Sequence, residues 1–240
     1  MSAALNLRMS LYAEIEALPE HLTGEIINGE LVVSPRPGID HARAASTGLA
    51  QLLPAFAWMK GGGGGGGSRP WFLTIEPELH LEDDVLVPDL AGWYADRLGD
   101  TRGRKVLTLS PDWVCEILCP STAKRDRGPK TDRYASHGVR WLWLVDPVEE
   151  FIEAFELVSQ RWTRLGVWGG DEVASIVPFD RLPLELCRWW GREPREEGSG
   201  EASEAGAAVD TVVAGEGVVA EATAEASGDS DGQGGGTLGD

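Results

Sequence analysis

The run PDWVCEILCPSTAKRDRGPKTDRYASHGVRWLWLVDP, from Pro111 to Pro147, leaves a chain like this the fewest choices. Trp113–Leu118 and Trp141–Val145 are almost wholly apolar and rich in β-forming residues, as strands buried on both faces of a sheet are. Between them Pro120, Ser121 and Thr122 end the first strand, and the Ser or Thr suits the cap of a helix running to about Ser136. Gly138 stands where such a helix stops. A connection of this length allows a crossover, so the spacing predicts two parallel neighbouring strands.

Glu116 breaks the apolar run of the first strand. An unpaired carboxylate there would cost several kcal/mol, so it must meet a cation or take up a proton. The densest basic cluster of the chain follows it: Lys124, Arg125, Arg127, Lys130 and Arg133. A carboxylate leaving a sheet beside a cationic helix suits a metal-and-phosphate site. A second acid, Asp89, lies in VLVPDLAGWY (Val85–Tyr94) directly after Pro88. A proline inside a strand marks an edge, a bulge or an irregular point. Alone, Asp89 reads as a turn residue; together with Glu116 it reads as a ligand. Two carboxylates and a backbone carbonyl suit a hard cation such as Mg²⁺, with Mn²⁺ as its substitute.

The remaining segments frame this centre. Ser10–Leu18 suits a short amphipathic helix. GEIINGELVVSP (Gly24–Pro35) reads as a hairpin turning at Asn28-Gly29, and Ile39–Ala57 as a helix with Asp40 at its start. The seven glycines Gly61–Gly67 suit a surface loop; no GK[ST] follows to make them a phosphate cradle. Trp71–Leu81 has strand character, Glu82-Asp83-Asp84 makes a polar turn, and Asp146-Pro147 ends a strand. Phe151–Leu157 and Arg161–Trp168 form a hairpin, and Asp180–Trp190 a short strand and helix. The result is an α/β chain with one domain over residues 1–190. Residues 191–240 are mostly Gly, Ala, Ser, Glu and Asp, with few large apolar residues and no aromatics, a composition that predicts a disordered acidic tail.

Composition narrows the function. Hydrophobic residues make up 42% of the 240, with ten Trp, enough for a sizeable core. No apolar run is long enough for a transmembrane helix, no secretory leader is evident, and Cys115, Cys119 and Cys187 make no disulfide framework. The cell interior, hence the cytoplasm, is the expected compartment. The net charge of −18 argues against indiscriminate binding of nucleic acid, although a local basic cluster still contacts phosphates.

Several segments resemble the Uma-two family of "putative restriction endonucleases", a branch of the PD-(D/E)XK nuclease superfamily. They are EIINGEL (Glu25–Leu31), His41, EPELHL (Glu76–Leu81), VPDLAGW (Val87–Trp93), PDWVCEILCPST (Pro111–Thr122), Asp126, Lys130, Tyr134, Gly138-Val139 and WLVDP (Trp143–Pro147). They span most of Leu11–Leu186. The resemblance implies a restriction-endonuclease-like fold, a central mixed sheet flanked by helices, and a Mg²⁺-dependent endonuclease acting on DNA as a homodimer. It makes Asp89 and Glu116 metal ligands, with the Ile117 carbonyl as a third. The superfamily's usual lysine position holds Leu118, which moves that role to Lys130, with Lys124 as rival. Glu25 and His41 match family positions as auxiliary site residues, a structural role for His41 at a helix start being the alternative. Cys119 replaces the family's usual serine and should face away from Glu116. Two other readings stay open. One is a catalytically inactive nuclease-fold module, with Glu116 held by a salt bridge to Lys130 or a neighbouring Arg. The other is a nuclease of RNA or branched structures.

Overall fold

The computed structural model describes residues 3–56, 69–119 and 128–194. They fall within one compact unit, Met1–Glu196. Gly61–Gly67, the Ser121 and Thr122 caps, Lys124 and the tail from residue 195 lie outside the described residues.

In chain order the described elements are α1 (Ala3–Glu16), β1 (Leu22–Ile27), β2 (Glu30–Pro35), α2 (Ile39–Phe56), β3 (Trp71–Ile75), β4 (Leu79–Leu81), β5 (Asp84–Leu86), β6 (Leu90–Tyr94) and α3 (Ala95–Leu98). Then follow β7 (Trp113–Ile117), α4 (Pro129–Ser136), β8 (Trp141–Asp146), β9 (Phe151–Val158), β10 (Arg161–Gly169), β11 (Val173–Ala174), β12 (Leu184–Glu185) and α5 (Leu186–Trp189). A mixed six-stranded sheet runs β10-β9-β8-β7-β6-β3, and a four-stranded sheet β2-β1-β5-β4. As the crossover spacing predicts, β7 and β8 pair in parallel, with Glu116 opposite Leu144. The hairpin turns at Asn28 and Gly29, both at positive φ (55° and 80°), the conformation an Asn-Gly pair adopts cheaply.

Two expectations need correction. Trp71–Leu81 is not one strand: Glu76 adopts φ 46° and Pro77 lacks a donor, so the chain leaves the six-stranded sheet after β3 and enters the four-stranded one as β4. Asp84 is not part of a solvated turn; it begins β5 and is 1% exposed. Helix α4 begins at Pro129 with Gly128 as N-cap and no side-chain cap, a start set by proline's fixed φ.

Strand β7 sits at the centre, buried along its whole length. Trp113, Cys115 and Ile117 face one apolar core with α2, Phe179 and the Trp189 segment. Val114 and Leu118 face a second core with Tyr134, Val139 and residues of the four-stranded sheet. Alternation along the strand places Glu116 on this second side, under α4. Among the described residues no helix is long and apolar enough to cross a membrane, and no disulfide joins the three cysteines.

A buried carboxylate–lysine site at the end of the central strands

Between β5 and β6 the chain passes from one sheet to the other through Val87, Pro88 and Asp89. Proline cannot continue a hydrogen-bond ladder, so this crossing is the irregular point that its position in the sequence predicts. Asp89 is anchored through both oxygens. Oδ2 accepts the main-chain N–H of Ile117 at 2.6 Å, and Oδ1 lies 2.9 Å from His41 Nε2. His41 comes from the first turn of α2, and its Nδ1 is 3.3 Å from Cys119 Sγ. Cys119 thus meets His41 of α2.

Glu116 is 2% exposed and Lys130 3%. The Lys130 ammonium donates to Glu116 (3.0 Å to Oε1 and 3.1 Å to Oε2), to Glu25 Oε1 at 3.0 Å and to the Val87 carbonyl at 3.0 Å. Glu25 Oε1 also accepts the Val87 N–H at 2.8 Å. One turn beyond Lys130, on the same face of α4, Tyr134 donates its hydroxyl to Glu116 Oε1 at 2.5 Å. Burial raises the Tyr134 phenol well above its ordinary pKa, and the charges of Glu116 and Glu25, the bond to Glu116 and the charge of Asp89 push the same way. Tyr134 therefore stays protonated as a donor, and three carboxylates act at one hydroxyl.

Arg133 and His137, four residues apart, present a second face of α4 to Asp84. Asp84 Oδ2 accepts from Arg133 Nε at 2.5 Å and lies 2.7 Å from His137 Nε2, while Oδ1 accepts the Asn28 N–H at 2.8 Å. Burial alone would raise the Asp84 pKa. The bonds from His137, Asn28 and Arg133 outweigh it and hold the carboxyl below its usual range. Helix α4 is thus tied to carboxylates on two sides.

The structure therefore brings together Glu25, His41, Asp89, Glu116 and Lys130, each named from sequence. Ile117 enters through its N–H, on Asp89. The family resemblance includes Tyr134 but implies no role for it; its position one turn after Lys130 is the signal the sequence carries. Asp84 carried no signal, because an acid after Glu82-Asp83 looks like solvent-facing turn.

The donor set fits a hard divalent cation. Glu25 and Glu116 face Lys130 in a buried place and Asp89 lies on His41, which adds at most one positive charge, so among the described residues the cluster keeps negative charge for a cation to offset. Among the described residues no three His, Cys, Asp or Glu side chains form a ready metal cage. A cation here would take two carboxylates at most, with main-chain oxygen and water completing the shell. That is the habit of Mg²⁺ rather than of a structural zinc site.

The family model described as "Putative restriction endonuclease", Uma2, matches residues 11–185. The chain belongs to this family. The matched span holds every site residue named above. No curated protein matches the chain. A similar solved structure is the crystal structure of a "putative nuclease belonging to DUF820" from Anabaena variabilis. It shares 21% identity at a TM-score of 0.57, over 75% of this chain and 96% of that one. At that identity the likeness shows the fold, a mixed sheet flanked by helices.

Proposed function

We propose that this Uma2 protein is a divalent-cation-dependent endonuclease that hydrolyses phosphodiester bonds of DNA, with Asp89 and Glu116 as the metal-binding carboxylates. The observation that carries the reading is the union of the two acid-bearing segments: Asp89 bonds the peptide N–H directly after Glu116, and Lys130 stands on Glu116. The family description supports a nuclease, and the oxygen-rich, negatively charged donor set supports Mg²⁺ or Mn²⁺.

Bound there, the cation would activate a water and offset charge on the phosphate. The Ile117 carbonyl, next to the Asp89 anchor, is the third oxygen of the set. Lys130 places a positive charge against Glu116 in its buried position. Tyr134 holds Glu116 Oε1 in place, and the lysine meets both oxygens of that carboxylate. His41 orients Asp89 from its far oxygen.

A second reading has an observation of its own. The ammonium of Lys130 on Glu116, Glu25 and the Val87 carbonyl is the salt bridge expected of an inactive nuclease-fold module. Plasmid and single-stranded DNA incubated with Mg²⁺ or Mn²⁺ separate the two. Metal-dependent nicking by the wild type that both Glu116→Gln and Asp89→Asn abolish supports the nuclease. Intact DNA together with no cation uptake by calorimetry supports the module.

A further inference from the structure

We infer that Glu25 is a positioning residue: with Lys130 it clamps the main chain of Val87 and thereby sets where Asp89 stands relative to Glu116. The inference rests on the reading of those two acids as the reactive pair.

Val87 lies where the chain leaves one sheet for the other, beyond the end of β5. Strand β1 pairs β5 with Ile26 opposite Val85, so the main chain of β1 runs beside this segment. The hydrogen bonds that would continue a ladder are supplied here by side chains. Glu25 Oε1 accepts the Val87 N–H at 2.8 Å, and Lys130 donates to the Val87 carbonyl at 3.0 Å. The two charged groups meet each other at 3.0 Å, which closes a ring around one peptide residue. An ammonium has three N–H donors, and those of Lys130 find acceptors on Glu25, Val87 and Glu116. The lysine head is fixed in orientation as well as place.

Pro88 makes this clamp consequential. It has no N–H to pair, and its ring restricts the residue before it, so Val87 carries the last main-chain N–H before that of Asp89. Through the clamp, the main chain two residues before Asp89 and the carboxylate of Glu116 on the central strand share one ammonium. Glu25 is 4% exposed, and its carboxylate is joined to the reactive pair through Lys130 and Val87.

Three readings on the full chain test this. In DNA cleavage with Mg²⁺, Glu25→Gln should lower kcat by about 10- to 100-fold. KM should stay within about threefold and the melting midpoint near wild type, because Gln keeps the shape and an acceptor for Val87. The double variant Glu25→Gln/Lys130→Met should cleave no more slowly than the slower single variant, as residues acting as one unit do. Without reference to cleavage, hydrogen exchange at the Val87 amide should rise by about tenfold or more in Glu25→Ala, while the Ile26 amide in β1 keeps its protection. Should Glu25→Ala not fold, Glu25→Gln reads the same amide with a smaller rise. Wild-type kcat in Glu25→Gln, or an unchanged Val87 amide in the folded variants, overturns the clamp. A wild type that cleaves nothing overturns the nuclease reading, and the exchange measurement still decides the clamp.

Discussion

Asp89 accepts the main-chain N–H of Ile117 at 2.6 Å. This one bond joins the crossing between the two sheets to the central strand of the larger one, at the residue after Glu116. The carboxylate fixing the approach of the two segments is itself a proposed ligand, so architecture and chemistry meet in one side chain. Four predictions follow from the packing around it.

Tyr134→Phe keeps the ring and deletes the O–H that serves Glu116 Oε1. Losing a donor to a buried charged acceptor should cost about 1.5–3 kcal/mol, read by urea unfolding. Tyrosine titration offers a second reading. The three tyrosines are Tyr12, raised to about 12 chiefly by its bond to Glu78, Tyr94, raised chiefly by burial, and Tyr134, raised well above normal chiefly by burial. Near-ultraviolet absorbance should show no phenol ionising at the ordinary value of about 10 before the protein unfolds. Folding raises these pKa values, so their contribution to stability is full below about pH 10 and is lost as pH climbs beyond it.

Asp84→Asn should destabilise the protein by about 3 kcal/mol at neutral pH, since Arg133 and His137 would keep their place without their buried anion. The wild-type carboxyl titrates below its unfolded value, so the stability it gives is present above about pH 4 and is lost as pH falls through the folded value. Urea midpoints measured from neutral to acid pH should therefore converge for wild type and variant. A constant gap across the range would remove Asp84 from this role.

Gly48 lies under the ring of Trp189, and a Cβ added there would sit 2.4 Å from its Cη2. Trp189 is fully buried in the core shared by α2, β7 and α5 and has no room to withdraw. Gly48→Ala should lower stability by about 1–3 kcal/mol despite alanine's better helix propensity, with an altered tryptophan emission. A higher melting midpoint would show that the Trp189 ring can move.

Mg²⁺ or Mn²⁺ should stabilise the wild type, by about 2.7 kcal/mol at one hundred times its dissociation constant. Glu116→Gln should lose that response, and a chelator should reverse it in the wild type. A cation effect equal in both proteins would place binding elsewhere.

Much of the fold is local in origin and was legible in the residues. The apolar runs of β7 and β8, the Asn28-Gly29 turn, the Gly138 stop at φ 72° and the Asp146 turn, whose side chain accepts the N–H groups of Val148 and Glu149, are matters of periodicity and short-range sterics. Glu116 announced itself as an acid in an apolar strand, a conflict that only a partner resolves.

Which groups would be the partners was decided by tertiary structure. Val87 and Glu25 are 62 residues apart, His41 and Asp89 48, and Tyr134 and Glu116 18. No period or turn rule links such positions, because a polar side chain's pattern in sequence says that it needs a partner and not which one. The same holds for the splitting of Trp71–Leu81 between two sheets and for Asp84, whose neighbours in sequence are solvent-facing acids. Layer packing brought α4 down on both Glu116 and Asp84, and desolvation then made each ion pair obligatory.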